Sequence, residues 1–140
     1  MGSLACMKTL LPFALVVALA ASPAAASAKT LVSFSQSGGL AGVSTTVSVT
    51  TTGHVAVDGA GDNDRSHSLR TATLRHLRVV LSAARWDRAN PGQSHCADCF
   101  EYVVRYHGRR ARYDDSQAKQ VPRSVRTVVA ELQRISRGGR

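Results

Sequence analysis

The sequence lacks the short motifs that identify the common classes of enzyme. Its 140 residues contain no Gly-x-Ser-x-Gly elbow, no His-Glu-x-x-His motif and no phosphate-binding loop. The five histidines are separate, and no two are spaced to share one face of a helix. Because no pair of titratable groups can be placed together, the sequence predicts a protein that is not an enzyme and needs no metal or cofactor.

Acidic residues are also scarce. Nine Asp and Glu stand against 18 Lys and Arg, which gives a formal charge of +9. Such a charge attracts anionic partners of several kinds. Aromatic residues make up only 5% of the chain and are not interleaved with the arginines, so we expect no binding of nucleic acid. A cationic binding module for an anionic wall polymer or an acidic protein stays open as an alternative function.

Only one long apolar run is present, and it lies near the amino terminus. Lys8 precedes the apolar residues 9–21, and small residues ending in Ala28 follow. This order predicts a signal peptide over residues 1–28, cleaved near Ala28, and a secreted, extracellular product without a membrane anchor. The remaining 112 residues, 29–140, suit a single domain. They keep 17 basic residues against 9 acidic ones, a formal charge of +8.

Two cysteines, Cys96 and Cys99, remain after cleavage. An even number in a secreted chain predicts a disulfide. Three alternatives stay open: a zinc site with His95 and His107, thioredoxin-like redox chemistry, and two idle thiols.

Alternation of apolar and polar residues predicts strands, and helical spacing predicts two amphipathic helices. The first helix carries a stripe of Leu74, Leu77, Val80, Leu81 and Ala84, with Trp86 closing the core at its end. The second follows Pro122 and carries Val125, Val128, Val129, Leu132 and Ile135. The strands are predicted at 30–35, 43–50, 54–57, 100–106 and 109–114.

The predicted fold is therefore α+β. A four- or five-stranded antiparallel sheet carries both helices on one face, in the order ββ(β)-α-ββ-α. Residues 58–64 form a solvated linker, and Ser66 or Ser68 caps the first helix. Glu101 is expected to pair with an arginine across the sheet, and Asp114 and Asp115 to cap a turn.

The stretch Phe34-Ser-Gln-Ser-Gly-Gly-Leu-Ala-Gly-Val43 resembles the hallmark of the emfourin family. Members of this family are small proteinaceous inhibitors of protealysin and other thermolysin-like zinc metalloproteases. Residues 98–104 resemble the family's aspartate–aromatic–x–tyrosine strand, and residues 121–132 its terminal helix. The likeness covers nearly all of residues 29–140. The leader, the acidic, glycine-rich linker and the cysteine pair depart from the family pattern.

The resemblance implies a compact α+β fold that inhibits a thermolysin-like metalloprotease competitively. Such enzymes cleave before a large apolar residue, so Leu40 is the residue expected to enter their pocket. Its neighbours form the rest of the expected protease-binding loop: Ser37, Gly38, Gly39, Ala41 and Gly42. The alternative is that the two adjacent glycines form an ordinary turn and that Leu40 folds back into the core.

Overall fold

The structure is a computed structural model that describes residues 28–59 and 65–138. The predicted signal peptide, apart from Ala28, and residues 60–64 of the predicted linker lie outside the described residues. The first two residues predicted as linker, Asp58 and Gly59, instead end a strand. Within the described residues, six strands and two α-helices follow one another. They are β1 (Thr30–Gly38), β2 (Val43–Thr50), β3 (His54–Gly59), β4 (Arg65–Ser68), α1 (Thr71–Ala83), β5 (Phe100–Tyr106), β6 (Arg109–Asp114) and α2 (Arg123–Ser136).

The strands form one antiparallel sheet in the order β4-β3-β2-β1-β5-β6. The α+β class is confirmed, with six strands where four or five were expected. The additional strand is β4, which pairs with β3 at the edge of the sheet. The expected capping by Ser66 or Ser68 is wrong, because both residues belong to this ladder. Arg70 stands at the N-cap of α1 without a side-chain cap bond.

The core lies between one face of the sheet and the two helices. Alternate strand residues such as Phe34, Val47 and Val104 point into it, as the period of two predicts. The apolar stripes of both helices belong to the same core as these strand residues, and Val80 packs against its edge, partly buried. Trp86 is buried at the end of α1, where its indole Nε1 donates to the carbonyl oxygen of Leu81 at 3.1 Å. Its predicted role in closing the core is confirmed.

The opposite face of the sheet is covered by neither helix and is called the open face. Short polar side chains, among them Ser33, Ser35 and Ser48, occupy it. Glu101 accepts from Arg112 on this face at 2.8 Å, which confirms the expected cross-strand pair. No helix within residues 28–59 and 65–138 is long and apolar enough to cross a bilayer.

The two ends of the sheet carry different connections. At the loop end, residues 39–42 join β1 to β2, next to the start of β5, since Gly38 is opposite Phe100. At the turn end, residues 51–53 join β2 to β3 and residues 107–108 join β5 to β6. Residues 39–42 and residues 107–108 therefore lie at opposite ends of the sheet.

Candidate functional site

The loop end presents Leu40 to solvent. This side chain is 92% exposed, more than the other exposed large hydrophobic residues of the described part, Val79 at 59% and Val43 at 39%. The alternative that Leu40 folds back into the core is therefore wrong. A large aliphatic side chain exposed to this degree gains nothing for folding, because burial is what makes such a side chain stabilising.

Glycines shape the backbone that carries Leu40. Gly38 and Gly39 have φ angles of +117° and +72°, values that residues with a side chain rarely adopt. Space is also limiting at both positions. A β-carbon on residue 38 would overlap the carbonyl oxygen of Cys99, and one on residue 39 would stand 2.9 Å from Cζ of Phe100. The loop therefore rests directly on the chain that leads into β5.

That chain is closed by a disulfide between Cys96 and Cys99, with their Cα atoms 5.6 Å apart. The predicted pairing is confirmed, so the two sulfurs are neither idle thiols nor available as zinc ligands in this structure. The pair precedes strand β5, so it lacks the helix N-terminus that lowers the pKa of a thioredoxin-like cysteine. A shared zinc site is also excluded by position, because His107 lies at the turn end. The amide of Gly39 donates to the carbonyl oxygen of Cys99 at 3.4 Å, which connects the loop to the disulfide segment.

Asp115 fixes the first residues of β5 from the other side. One of its carboxylate oxygens accepts from the amide of Phe100 at 3.1 Å, and the other accepts from the hydroxyl of Tyr102 at 2.7 Å. Burial and this carboxylate raise the pKa of Tyr102 well above its ordinary value. The ring of Phe100 lies beneath Gly39. The hydrogen bond from the Phe100 amide to Asp115 fixes the backbone that carries this ring.

Neighbouring polar residues complete this support. Asp114 caps the 3₁₀ helix Asp115–Gln117 by accepting from the amide of Gln117 at 3.1 Å, which confirms that it caps a turn. The side-chain amide of Gln117 donates to the carbonyl oxygens of Gly92 and Gln93, each at 3.3 Å. The chain entering the disulfide is therefore anchored as well.

The six residues expected to bind a protease lie in one continuous segment. Ser37 and Gly38 end β1, and the other four form the connection to β2. The amide of Gly42 donates to the carbonyl oxygen of Gly39 at 3.0 Å, which closes the turn around Leu40 and Ala41. Sequence reasoning missed the roles of Phe100 and Asp115, because nothing in a one-dimensional pattern places them beneath this loop.

This arrangement presents an apolar side chain to another molecule. The part of the chain that the structure describes contains no group of three or more His, Cys, Asp or Glu residues placed to hold a metal ion. Its distinguishing feature is an apolar side chain raised on a braced, glycine-rich connection. Comparison of the chain with protein-family models, with curated proteins and with solved structures gives no match in any of the three.

Proposed function

We propose that the protein is a secreted inhibitor of thermolysin-like zinc metalloproteases that inserts the loop around Leu40 into the protease cleft. The observation that carries the proposal is the 92% exposure of Leu40 on a loop braced from below. The likeness of residues 34–43 to the emfourin hallmark supplies the class of target. The leader over residues 1–28 would export the inhibitor to where such proteases act.

The support beneath the loop favours tight binding. A connection that is already ordered loses little conformational entropy when it docks. Gly39 is fixed by its hydrogen bond to Cys99 and by the ring of Phe100, so the position of Leu40 is set before a partner arrives. A single apolar anchor entering a pocket is the usual form of a binding hot spot.

The small neighbours of Leu40 serve a second purpose. Gly39, Ala41 and Gly42 add almost no bulk on either side of the leucine, and a β-carbon on Gly42 would meet no atom within 4 Å. The inhibitor backbone is therefore able to approach the walls of a narrow cleft and to form hydrogen bonds with them. A bulky flanking residue would prevent this approach.

The first experiment compares three proteases. Residues 29–140 are mixed with a thermolysin-like, a trypsin-like and a papain-like enzyme, and residual activity is measured against inhibitor concentration. We expect inhibition of the first enzyme only, relieved by rising substrate concentration. Full thermolysin-like activity at stoichiometric excess of the inhibitor would refute the proposal and leave the cationic binding module as the better description.

The second experiment tests the contact itself. Leu40→Asp places a charge where an apolar pocket is expected, and we expect the inhibition constant to rise about 30-fold or more, the factor that corresponds to a hot spot of about 2 kcal/mol. Val79→Asp is the matched control, because Val79 is an exposed aliphatic residue on α1, outside the loop. Equal effects of the two substitutions would remove the loop from the mechanism.

A further inference from the structure

A pair of arginines on the open face has no role in the proposed inhibitor. Arg105 of β5 and Arg110 of β6 are directly opposite each other in the strand register, and both are exposed. Residues in this relation project from the same face with their β-carbons about 5 Å apart. Like charges held in this way are destabilising, so a purely structural role does not account for the pair.

No carboxylate of the described residues lies within ion-pair distance of either arginine, although Asp87 lines the same surface cavity as Arg110. Ion pairs there involve three other arginines, Arg88, Arg112 and Arg134. Of these three, Arg112 lies on the open face, two residues from Arg110, and it is already paired with Glu101 at 2.8 Å. Arg105 and Arg110 therefore place two charges without an ion-pair partner side by side on the surface.

Protection of a sheet edge against pairing explains only one of the two arginines. Charged residues on an edge strand prevent it from pairing with another molecule, and β6 is an edge strand. That argument covers Arg110. It does not cover Arg105, because β5 lies inside the sheet between β1 and β6.

The surface next to the two arginines is formed by short polar side chains. Ser33 is opposite Arg105 in the ladder of β1 and β5, and Ser48 is opposite Ser33 in the next ladder. The two guanidinium groups thus stand beside a floor of short hydroxyl side chains. An extended chain has room to lie across these strands without meeting a bulky side chain.

We propose that this part of the open face binds a linear phosphate polymer, with phosphate oxygens on the guanidinium groups of Arg105 and Arg110. The planar fork of arginine matches the oxygens of a phosphate group, and several adjacent negative charges offset the repulsion between the two cations. This interaction is separate from protease inhibition, because Arg105 lies toward the turn end and Leu40 at the loop end.

The positions of two aromatic residues bear on which anionic polymer fits beside the arginine pair. Trp86 and Tyr106, at the turn end, stack on each other with their ring centroids 5.8 Å apart, and Trp86 is buried. Tyr106 shares the core face of β5 with Val104, so within the described residues neither of these rings provides a stacking platform for a nucleobase or a sugar ring beside the arginine pair. A phosphate polymer needs no such platform, and this is the reason that we propose it in preference to a nucleic acid or a polysaccharide.

The test measures binding of inorganic polyphosphate to residues 29–140 by calorimetry at about 50 and 150 mM salt. We expect Arg105→Gln/Arg110→Gln to weaken binding at least about tenfold and to lower the slope of log K against log salt by about 2. The matched control is Arg65→Gln/Arg137→Gln, which removes the same charge near Val43 at the loop end. We expect the control to change the affinity less than about threefold.

Three outcomes would overturn the inference. They are absence of polyphosphate binding at low salt, equal weakening by the two double variants, and tighter binding of a polyuronate, a single-stranded oligonucleotide or an anionic vesicle at equal charge concentration. Thermal melting verifies that both variants are folded. Inhibition of the thermolysin-like protease by Arg105→Gln/Arg110→Gln is measured in parallel, so that failure of one proposal leaves the other to be judged separately.

Discussion

The backbone of Gly38 lies so close to the carbonyl oxygen of Cys99 that no β-carbon fits between them. Two segments that are about sixty residues apart in the chain are thus in contact at the base of the Leu40 loop. Position 38 therefore requires glycine because Cys99 leaves no space for a side chain, and this contact cannot be recognised from the sequence. It also provides a direct way to disturb the loop without touching Leu40.

Gly38→Ala is expected to lower the free energy of unfolding by about 3 kcal/mol, because it combines a disfavoured φ angle with steric overlap. Gly42→Ala is the comparison. Its φ of +59° lies in the left-handed region but its surroundings are open, so we expect a loss of about 1–2 kcal/mol. Urea denaturation of both variants measures the difference. Equal losses would show that the approach to Cys99 does not matter.

Asp115→Asn should weaken both the fold and the inhibitor. The carboxylate holds Phe100 and Tyr102 together, and an amide keeps only one of its two acceptor oxygens. We expect a loss of about 1–2 kcal/mol in unfolding free energy and a higher inhibition constant. Asp98→Asn is the control, since Asp98 is exposed in the neighbouring segment. If both variants behave like the wild type, the carboxylate is not a support.

Stability should fall in alkaline solution. Burial raises the pKa of Tyr113 to about 12, and burial together with Asp115 raises the pKa of Tyr102 further. A tyrosine with a raised pKa stabilises the fold fully below its unfolded pKa of about 10, and this contribution is lost as the pH rises through the folded pKa. The free energy of unfolding should therefore decline from about pH 10 upward.

The variant Tyr102→Phe isolates one part of this decline. It loses the hydrogen bond to Asp115, so it should be about 1 kcal/mol less stable at pH 7. Because it has no proton to lose at this position, its decline above pH 10 should be shallower than that of the wild type. Urea denaturation between pH 7 and pH 11 gives both slopes, and identical slopes would contradict the assignment.

Removal of the disulfide should affect inhibition as well as stability. Cys96→Ser/Cys99→Ser opens a very short loop, so chain entropy predicts a loss of only about 2 kcal/mol. We expect the inhibition constant to rise about tenfold, since Gly39 is bonded to Cys99. Serine variants are preferred to a reductant, because thiols bind the zinc of the target protease. Ala97→Ser, which leaves the bridge intact, should inhibit like the wild type.

Reversing one charge of the arginine pair should stabilise the fold. Arg105→Glu converts a repulsive cross-strand pair into an attractive one with Arg110, for an expected gain of about 0.5 kcal/mol. The gain should shrink at high salt, since exposed charges are screened. Arg65→Glu serves as the control. A loss of stability in Arg105→Glu at low salt would show that the two side chains do not repel each other.

Much of the fold follows from local patterns. The strand over residues 100–106 and the second helix were predicted within one or two residues, because an alternation interrupted only at Val103 and a regular apolar stripe are each typical of one structure. The stripe ending in Ile135 is buried along its whole length. Trp86 was also placed correctly, since a large aromatic residue next to a stripe has one favourable position.

The predictions are wrong where contacts between residues distant in sequence determine the local structure. Residues 65–68 are all polar and show no alternation, so only pairing with β3 makes them a strand. β1 extends to Gly38, beyond the expected end at Ser35, because β2 and β5 pair with it on both sides. In the candidate site, the loop was found from its glycines, whereas the support by Phe100 and Asp115 depends on a sheet order that no local pattern encodes.

The direction of β1 bears on how the molecule can be attached to a surface or a label. This central strand begins at Thr30 on the turn end and runs to Gly38 at the loop end, where the connection that carries Leu40 follows. Arg137, just beyond α2, lies near Val43 and so beside the loop. A dye, bead or carrier coupled ahead of Thr30 would leave Leu40 facing outward, whereas the same group placed after Arg137 would crowd it.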